Sequence, residues 1–319
     1  MHRVLVIGAS GQIGSELVDA LVDAHGAANV VAGDLRAAAT PSAVQFVTLD
    51  TLDAARLREV VAQHRIDHVY QLAALLSAVG EAAPLQTWTL NVNALLNVLE
   101  LAREGRVARV FWPSSIAAFG PRSQRDDTPQ ATVMDPGTMY GVTKVAGERL
   151  CEYYFRRFGV DVRSVRYPGV LGSRTPPGGG TTDYAIEMFQ AAKRGEPYRC
   201  FLGPDTRLPM IGMPDVLRAT LELMEADAAQ LGVHASYNLA ASSFTPAELH
   251  AAIRRFAPGF EVTYAPDFRQ AIADSWPRTI DDGEARSDWG WRPQFDFEGL
   301  VAHMWEAIPR DWPLPGSGS

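Results

Sequence analysis

The first apolar run, Val4-Leu5-Val6-Ile7, has no polar interruption, the pattern of a short strand buried on both faces. Gly8 to Gly14 follow, and then Ile13, Leu17, Ala20 and Leu21 recur at helical spacing, which predicts strand, glycine turn and helix in that order. Val30-Val31-Ala32-Gly33-Asp34 predicts a second strand ending in an acid, Val44 to Leu49 a third, Leu57 to Gln63 a helix and His68 to Leu72 a fourth strand. A long helix is predicted from about Leu85 to Arg103, with Leu90, Ala94, Asn97, Val98 and Leu101 on one side. Val110-Phe111-Trp112 predicts another strand, Tyr140 to Phe158 another helix and Val160 to Val165 another strand. Strands alternating with helices predict an α/β chain with a doubly wound parallel sheet covered on both faces. Its right-handed crossovers place the ligand crevice at the strand C-termini. After Arg166 the alternation stops. A Pro176–Gly180 loop and Pro/Trp-rich stretches near Trp276, Trp289, Trp291 and Trp312 predict a smaller, irregular C-terminal lobe over the crevice. The expected division is residues 1–168 as the sheet domain, rejoined by about 213–240, a second lobe of 169–212 and 241–312, and a flexible tail, 313–319. There is no internal repeat and no low-complexity tract.

Gly8-Ala9-Ser10-Gly11-Gln12-Ile13-Gly14 spaces its glycines as G-x-x-G-x-x-G. Three glycines alone mark no more than a tight turn. Directly after a strand and at the opening of a helix, they aim backbone N–H groups and the helix N-terminus at a pyrophosphate, the Rossmann-like arrangement. A side chain at Gly11 would block that approach. Asp34 lies 20 residues after Gly14, at the end of the second strand. A carboxylate there accepts hydrogen bonds from the adenine-ribose hydroxyls and repels a 2′-phosphate, so NAD is expected rather than NADP, although Arg36 stands two residues on. Asp50, ending the third strand, is placed either for the adenine amine or as a helix N-cap before Leu52. Leu72-Ala73-Ala74 after the fourth strand are small enough for a close approach of backbone to cofactor.

Tyr140-Gly141-Val142-Thr143-Lys144 reads Y-x-x-x-K, and positions i and i+4 of a helix share a face. A lysine ammonium near a phenol lowers its ionisation from about 10 toward the working range, each pH unit amounting to about 1.4 kcal/mol. An isolated pair of this kind is commonly a surface pair. Here it follows five alternating strands and a dinucleotide loop, and Ser114-Ser115 precedes it, with Ser115 25 residues before Tyr140. Ser115 is placed to bind the reacting oxygen and hold it for Tyr140, an oxidoreductase triad.

This loop and triad resemble those of the extended short-chain dehydrogenases/reductases, which include UDP-galactose 4-epimerase. The resemblance narrows along nearly the whole chain. Leu72-Ala73-Ala74-Leu75-Leu76-Ser77, Phe111-Trp112-Pro113-Ser114-Ser115-Ile116, Arg166-Tyr167-Pro168-Gly169, the run from Pro176 to Tyr184 and the run from Asp267 to Pro277 resemble the short-chain-type L-threonine 3-dehydrogenases. Gly172 departs from that pattern, where a serine-like residue is expected. The resemblance implies oxidation of L-threonine by NAD to 2-amino-3-oxobutyrate, with Tyr140 as general base, Ser115 on the hydroxyl and Lys144 tuning Tyr140 and holding the nicotinamide ribose. It also implies a homodimer paired through helices Leu85–Arg103 and Tyr140–Phe158. The candidate cofactor set is Gly8, Ser10, Gly11, Gln12, Ile13, Gly14, Asp34, Leu35, Arg36, Asp50, Thr51, Leu72, Ala73, Ala74, Asn91, Tyr140, Lys144, Tyr167, Pro168 and Val170. For a zwitterionic amino acid the candidates are Ser77, Ser115, Tyr140, Thr181, Thr182, Asp183 and Trp276. Thr181–Asp183 serve equally as a helix N-cap, Trp276 equally as a core aromatic. Gly178–Gly180 is a candidate hinge for a lid.

Composition removes other classes. With 47% hydrophobic and 21% charged residues the 319-residue chain is an ordinary globular protein. A net charge of −8 without a Lys/Arg-rich run argues against a nucleic-acid partner. Two cysteines, Cys151 and Cys200, exclude a disulfide scaffold and a four-cysteine zinc site. No apolar stretch nears the ~18 residues of a membrane span, and the N-terminal run is too short for a signal peptide, so a cytoplasmic location is expected. His64 and His68 straddle a strand entry without a third ligand, and no metal is expected. The competing enzyme is a nucleotide-sugar epimerase or dehydratase with Arg207 and Arg278 for a diphosphate. The competing non-enzyme is an NAD-sensing regulator, which would tend to have lost the Tyr140–Lys144 pair.

Overall fold

The uninterrupted apolar run does become the centre of a sheet. In the computed structural model, which describes residues 2–36, 44–175 and 178–310, Val4–Ile7 is strand β1, and all four residues are buried. Pro176-Pro177, Trp312 and the tail 313–319 lie outside the described residues. β1 leads through the glycine turn into α1 (Gln12–His25), then β2 (Val30–Asp34), β3 (Gln45–Thr48), α2 (Ala54–His64) and β4 (His68–Gln71). Next come α3 (Ser77–Ala82), α4 (Pro84–Trp88), α5 (Ala94–Arg103), β5 (Arg109–Phe111), β6 (Ser114–Ser115), α6 (Met139–Phe158), β7 (Asp161–Arg163), β8 (Val165–Tyr167) and β9 (Gly169–Leu171). The main sheet is parallel throughout, in the order β3-β2-β1-β4-β5-β7, with Val4 in register with both Val30 and His68. The order reverses between β1 and β4, so the glycine turn and the segment after β4 open onto one crevice.

The strand period of two assigns the β1 side chains to two cores. Val4 and Val6 pack with Leu17 and Leu21 of α1 and with Val216 and Leu223 of α8 (Met213–Glu225). Leu5 and Ile7 pack with Leu57 and Val60 of α2, Leu95 and Val98 of α5, and Cys151 of α6. A third core holds Tyr184, Ile186 and Phe189 of α7 (Tyr184–Arg194), Leu249 and Ile253 of α9 (Pro246–Ile253), and Trp276.

Two predicted elements are divided. The 85–103 helix begins at Pro84 and passes through a π-helical segment, Thr89–Asn93, before α5. The extra residue per turn rotates the buried face, so Leu90 and Asn97 are half-buried while Asn91, Leu95 and Leu99 are buried. The Val160–Val165 strand splits at Ser164: β7 stays in the main sheet, and β8 joins β6 and β12 (Tyr237–Asn238) in a small one. Two further small sheets, β13-β11-β9 and β10-β14, complete the C-terminal half, with β10 Tyr198–Cys200, β11 Leu208–Gly212, β13 Ser242–Phe244 and β14 Val262–Tyr264.

Candidate active site

The glycine turn is held by contacts that forbid side chains. Gly8 has φ +84°, and a Cβ there would lie 2.7 Å from the Ala73 nitrogen. A Cβ at Gly14 would lie 2.1 Å from the Gly8 oxygen. Gly11 is different: its Cβ would meet only the Gly8 oxygen at 3.3 Å. It is also the N-cap of α1, with no side-chain cap on the first N–H groups. The bare helix start therefore fits a pyrophosphate, and the protein's own packing gives little other reason for glycine at position 11. Asp34 is tied to this turn, its Oδ2 accepting the Ser10 N–H at 3.0 Å, while the Ser10 hydroxyl donates to the Arg36 carbonyl at 2.9 Å. Leu35 and Arg36 are exposed beside it.

Asp50 is not the helix cap. Its Oδ1 accepts the Leu52 N–H at 2.9 Å in a turn, and Asp53 caps α2 by accepting from the Arg56 N–H. Thr51 is buried and donates to the Gln71 side chain at 3.3 Å. Asn91, on the π segment, spends its amide inside the protein: Oδ1 accepts from the Leu75 N–H at 2.8 Å, and Nδ2 donates to the Leu75 carbonyl and the Thr143 hydroxyl at 3.1 Å each. It holds the segment after β4 against α6.

Beyond the turn the crevice becomes a cleft. Gln12, Ile13, Leu72, Ala74, Ser77, Ser115, Tyr140, Lys144, Tyr167, Pro168, Val170, Thr181, Thr182, Asp183 and Trp276 all line it. These are sequence candidates from seven separate stretches of chain, brought to one place. The Tyr167 hydroxyl turns away, bonding to Thr220, so only the rest of that residue faces the cleft. Asp183 precedes α7 but does not cap it. Its Oδ2 accepts from the N–H groups of Gly179 at 2.8 Å and Gly180 at 2.6 Å, which pins the candidate hinge. Burial pushes the Asp183 carboxyl up to about 6 against these two bonds. A side chain at Gly172 would meet the ends of Gln12 and Met213 at 3.2 Å.

Helix α6 carries the chemistry. Thr138 caps it by accepting from the Gly141 N–H at 3.1 Å, and Glu81 of α3 accepts the Met139 N–H at 2.6 Å. Tyr140 thus sits in a doubly held first turn. Its phenol faces the cleft with Ser115, which acts to lower the phenol's value and whose Oγ accepts the Ala117 N–H at 3.2 Å. Lys144 is 3% exposed, donates to the Pro113 carbonyl at 2.6 Å, and lies 4.6 Å from the centre of the Trp112 ring and 5.2 Å from that of Tyr140. The expected lowering of the Tyr140 phenol does not hold. Burial pushes it up to about 12, with only Ser115 opposing. Burial also brings Lys144 down to about 7, against the favourable charge of Glu148. Burial disfavours both charged forms.

Sequence reasoning missed a buried network behind the triad. Glu148, one turn beyond Lys144, accepts from the Ser114 hydroxyl at 2.6 Å and from Arg166 at 2.9 and 2.8 Å. A second acid four residues past the lysine was the available signal. His64 and His68 do not pair; among the described residues it is His2, Asp67 and His68 whose ligand atoms lie within 4.8 Å of one another, at the N-terminal ends of the central strands β1 and β4, away from the cleft.

Comparison with known proteins agrees with this geometry. The model of the NAD-dependent epimerase/dehydratase family matches residues 4–240. A protein of Staphylococcus saprophyticus named as an uncharacterized epimerase/dehydratase is 45% identical over 97% of each chain. Among solved structures, the holo form of a GalE-like L-threonine dehydrogenase from Cupriavidus necator is 54% identical, with a TM-score of 0.94 over 95% of this chain and 99% of that one. An L-threonine dehydrogenase from Clostridium difficile is 42% identical, with a TM-score of 0.94 over 97% of this chain and 98% of that one. The bare α1 terminus, with Asp34 beside it, fits the NAD of the family's description. By this match and these relatives, the chain belongs to the NAD-dependent epimerase/dehydratase family of extended short-chain dehydrogenases/reductases and is an NAD-dependent oxidoreductase.

Proposed function

We propose that the protein is an L-threonine 3-dehydrogenase, oxidising the β-hydroxyl of L-threonine to give 2-amino-3-oxobutyrate. The observation that carries this reading is the convergence of Tyr140, Ser115 and Lys144 with Ser77, Thr181, Thr182, Asp183 and Trp276 on one cleft. Hydroxyls, one carboxylate and an indole wall suit a small zwitterion. Bound NAD supplies the hydride acceptor. Ser115 holds the substrate hydroxyl, and Tyr140 takes its proton as the β-carbon loses hydride and becomes a carbonyl. Lys144 as ammonium stabilises the phenolate. Asp34 and the glycine turn orient the adenosine half, and the lobe of residues 169–212 and 241–312 closes the substrate side. The L-threonine dehydrogenases among its relatives support the same substrate.

The epimerase reading has less behind it. Arg207 bonds to the Ser243 carbonyl and Glu248, Arg278 pairs with Asp126, and neither lines the cleft. Cys151 and Cys200 are free and buried, in keeping with a reducing cytoplasm. Leu85, Trp88, Val142 and Tyr153 stand exposed on α4 and α6, in keeping with a homodimer paired there. Purified protein with NAD and L-threonine should accumulate NADH, while L-serine, 3-hydroxybutyrate and UDP-galactose should yield little. Turnover of the sugar nucleotide alone would overturn the proposal.

A further inference from the structure

The active-site serine segment is fastened to α6 by two side chains one turn apart. Lys144 donates to the Pro113 carbonyl at 2.6 Å, and Glu148 accepts from the Ser114 hydroxyl at 2.6 Å. Ser115, next along, lines the cleft with Tyr140. Glu148 is 0% exposed, and a carboxylate so deeply buried calls for a paired cation. Arg166 of β8, 2% exposed, supplies it through Nε at 2.9 Å and Nη2 at 2.8 Å, a bidentate pair. Its remaining nitrogen donates to the Gln130 carbonyl and to Asn238 Oδ1, at 2.9 Å each. Asn238 in turn donates to the Thr128 and Asp281 carbonyls. The ion pair is thus saturated with hydrogen bonds and fixed to elements outside α6.

We propose that Glu148, held by Arg166, is a positioning residue for the reaction: it sets the register of Ser115 against Tyr140 and provides the counter-charge that keeps Lys144 an ammonium. The inference rests on the Tyr140–Lys144 reading above. The ionisable groups that face Lys144 among the described residues are Tyr140, Glu148 and Cys151 of its own helix, with Arg166 beyond Glu148. Cys151 sits in apolar surroundings that push its thiol up, so Glu148 is the anion that Lys144 meets. Its field raises the Lys144 value, opposing the burial that lowers it.

Two substitutions separate the two duties. Glu148→Gln keeps a side chain that accepts from Ser114 but removes the charge. Lys144 then loses its proton at lower pH and helps the phenolate less. The low-pH break of the kcat profile should move down by about one pH unit, with the plateau above it down about tenfold and KM for L-threonine within about threefold. Ser114→Ala breaks the tether but keeps the charge, so kcat should fall with no displacement of the profile. If Glu148→Gln leaves Arg166 unpaired and does not fold, the neutral double variant Glu148→Gln/Arg166→Met should restore folding and still show the displaced low-pH break. A folded variant with a lower Tm but the wild-type pH profile and kcat would overturn the proposal and leave Glu148 a structural ion pair. The Tyr140→Phe control keeps this separate from the parent reading, since only failure of that reading leaves Tyr140→Phe active.

Discussion

The phenol of Tyr140 is useful as a base only in its rarer form. Burial holds it near 12, so the phenolate fraction grows as pH rises, and kcat should climb with pH up to about 7. Lys144 opposes this: its ammonium is lost as pH passes its own value, brought down to about 7 by burial, so the climb should level off there. Tyr140→Phe should cost about 10²–10⁴ in kcat and abolish the rising limb, with NAD affinity within about threefold. A flat wild-type profile would remove Tyr140 from the role. Asp34 makes a second test at one residue. It already accepts from Ser10, so Asp34→Ala both loosens the turn and removes the charge facing the ribose. Steady-state kinetics with both cofactors should show the NAD-over-NADP preference falling by tenfold or more, about 1.4 kcal/mol. An unchanged ratio would assign cofactor choice elsewhere.

At the scale of the element, α6 shows what a sequence reveals and what it hides. Y-x-x-x-K and helical spacing were enough to place Tyr140 and Lys144 on one face, because that follows from helix geometry alone. How closely the helix lies on its neighbours depends on residues remote in sequence. Gly147 reads as an ordinary helix-weakening residue, yet a Cβ there would come within 2.3 Å of the Trp112 ring, the ring beside Lys144. Gly147→Ala gains about 1 kcal/mol of helix propensity but overpacks this contact by about 1–3 kcal/mol. A net fall in Tm together with a fall in kcat is expected; a rise in Tm with full activity would mean that Trp112 moves freely. The π segment Thr89–Asn93 was illegible for a similar reason. Apolar periodicity continues through it, and only the bonds of Asn91 to Leu75 and Thr143, made across the fold, reveal the extra residue. Short strands such as β6 and β8 escaped notice because two or three residues carry no period.

For the whole molecule, stability and assembly can be measured together. Asp183 is raised to about 6 from an ordinary value near 4, chiefly by burial, so the folded state holds its proton more tightly than the unfolded chain. That contribution is fully present below about pH 4 and is lost as pH rises through about 6. Asp183→Asn mimics the protonated form, and its Tm relative to wild type should increase between pH 4 and 7. A constant difference would mean the carboxyl titrates normally. Exposed Leu85, at 83%, and Val142, at 39%, offer the second measurement. If the chain pairs through α4 and α6, light scattering should give twice the chain mass, and Leu85→Glu/Val142→Glu should halve it with the fold intact. A wild-type mass of one chain would end the homodimer proposal.

The position of β1 at the middle of its sheet has a consequence for biosynthesis. Its partners are β2 on one side and β4 on the other, and the latter begins only at His68. A nascent chain emerging from the ribosome therefore carries its most apolar segment for some sixty residues before both flanks exist to shield it. Parallel pairing of this kind is slow to close, so the growing polypeptide should depend on chaperone protection early in translation rather than late.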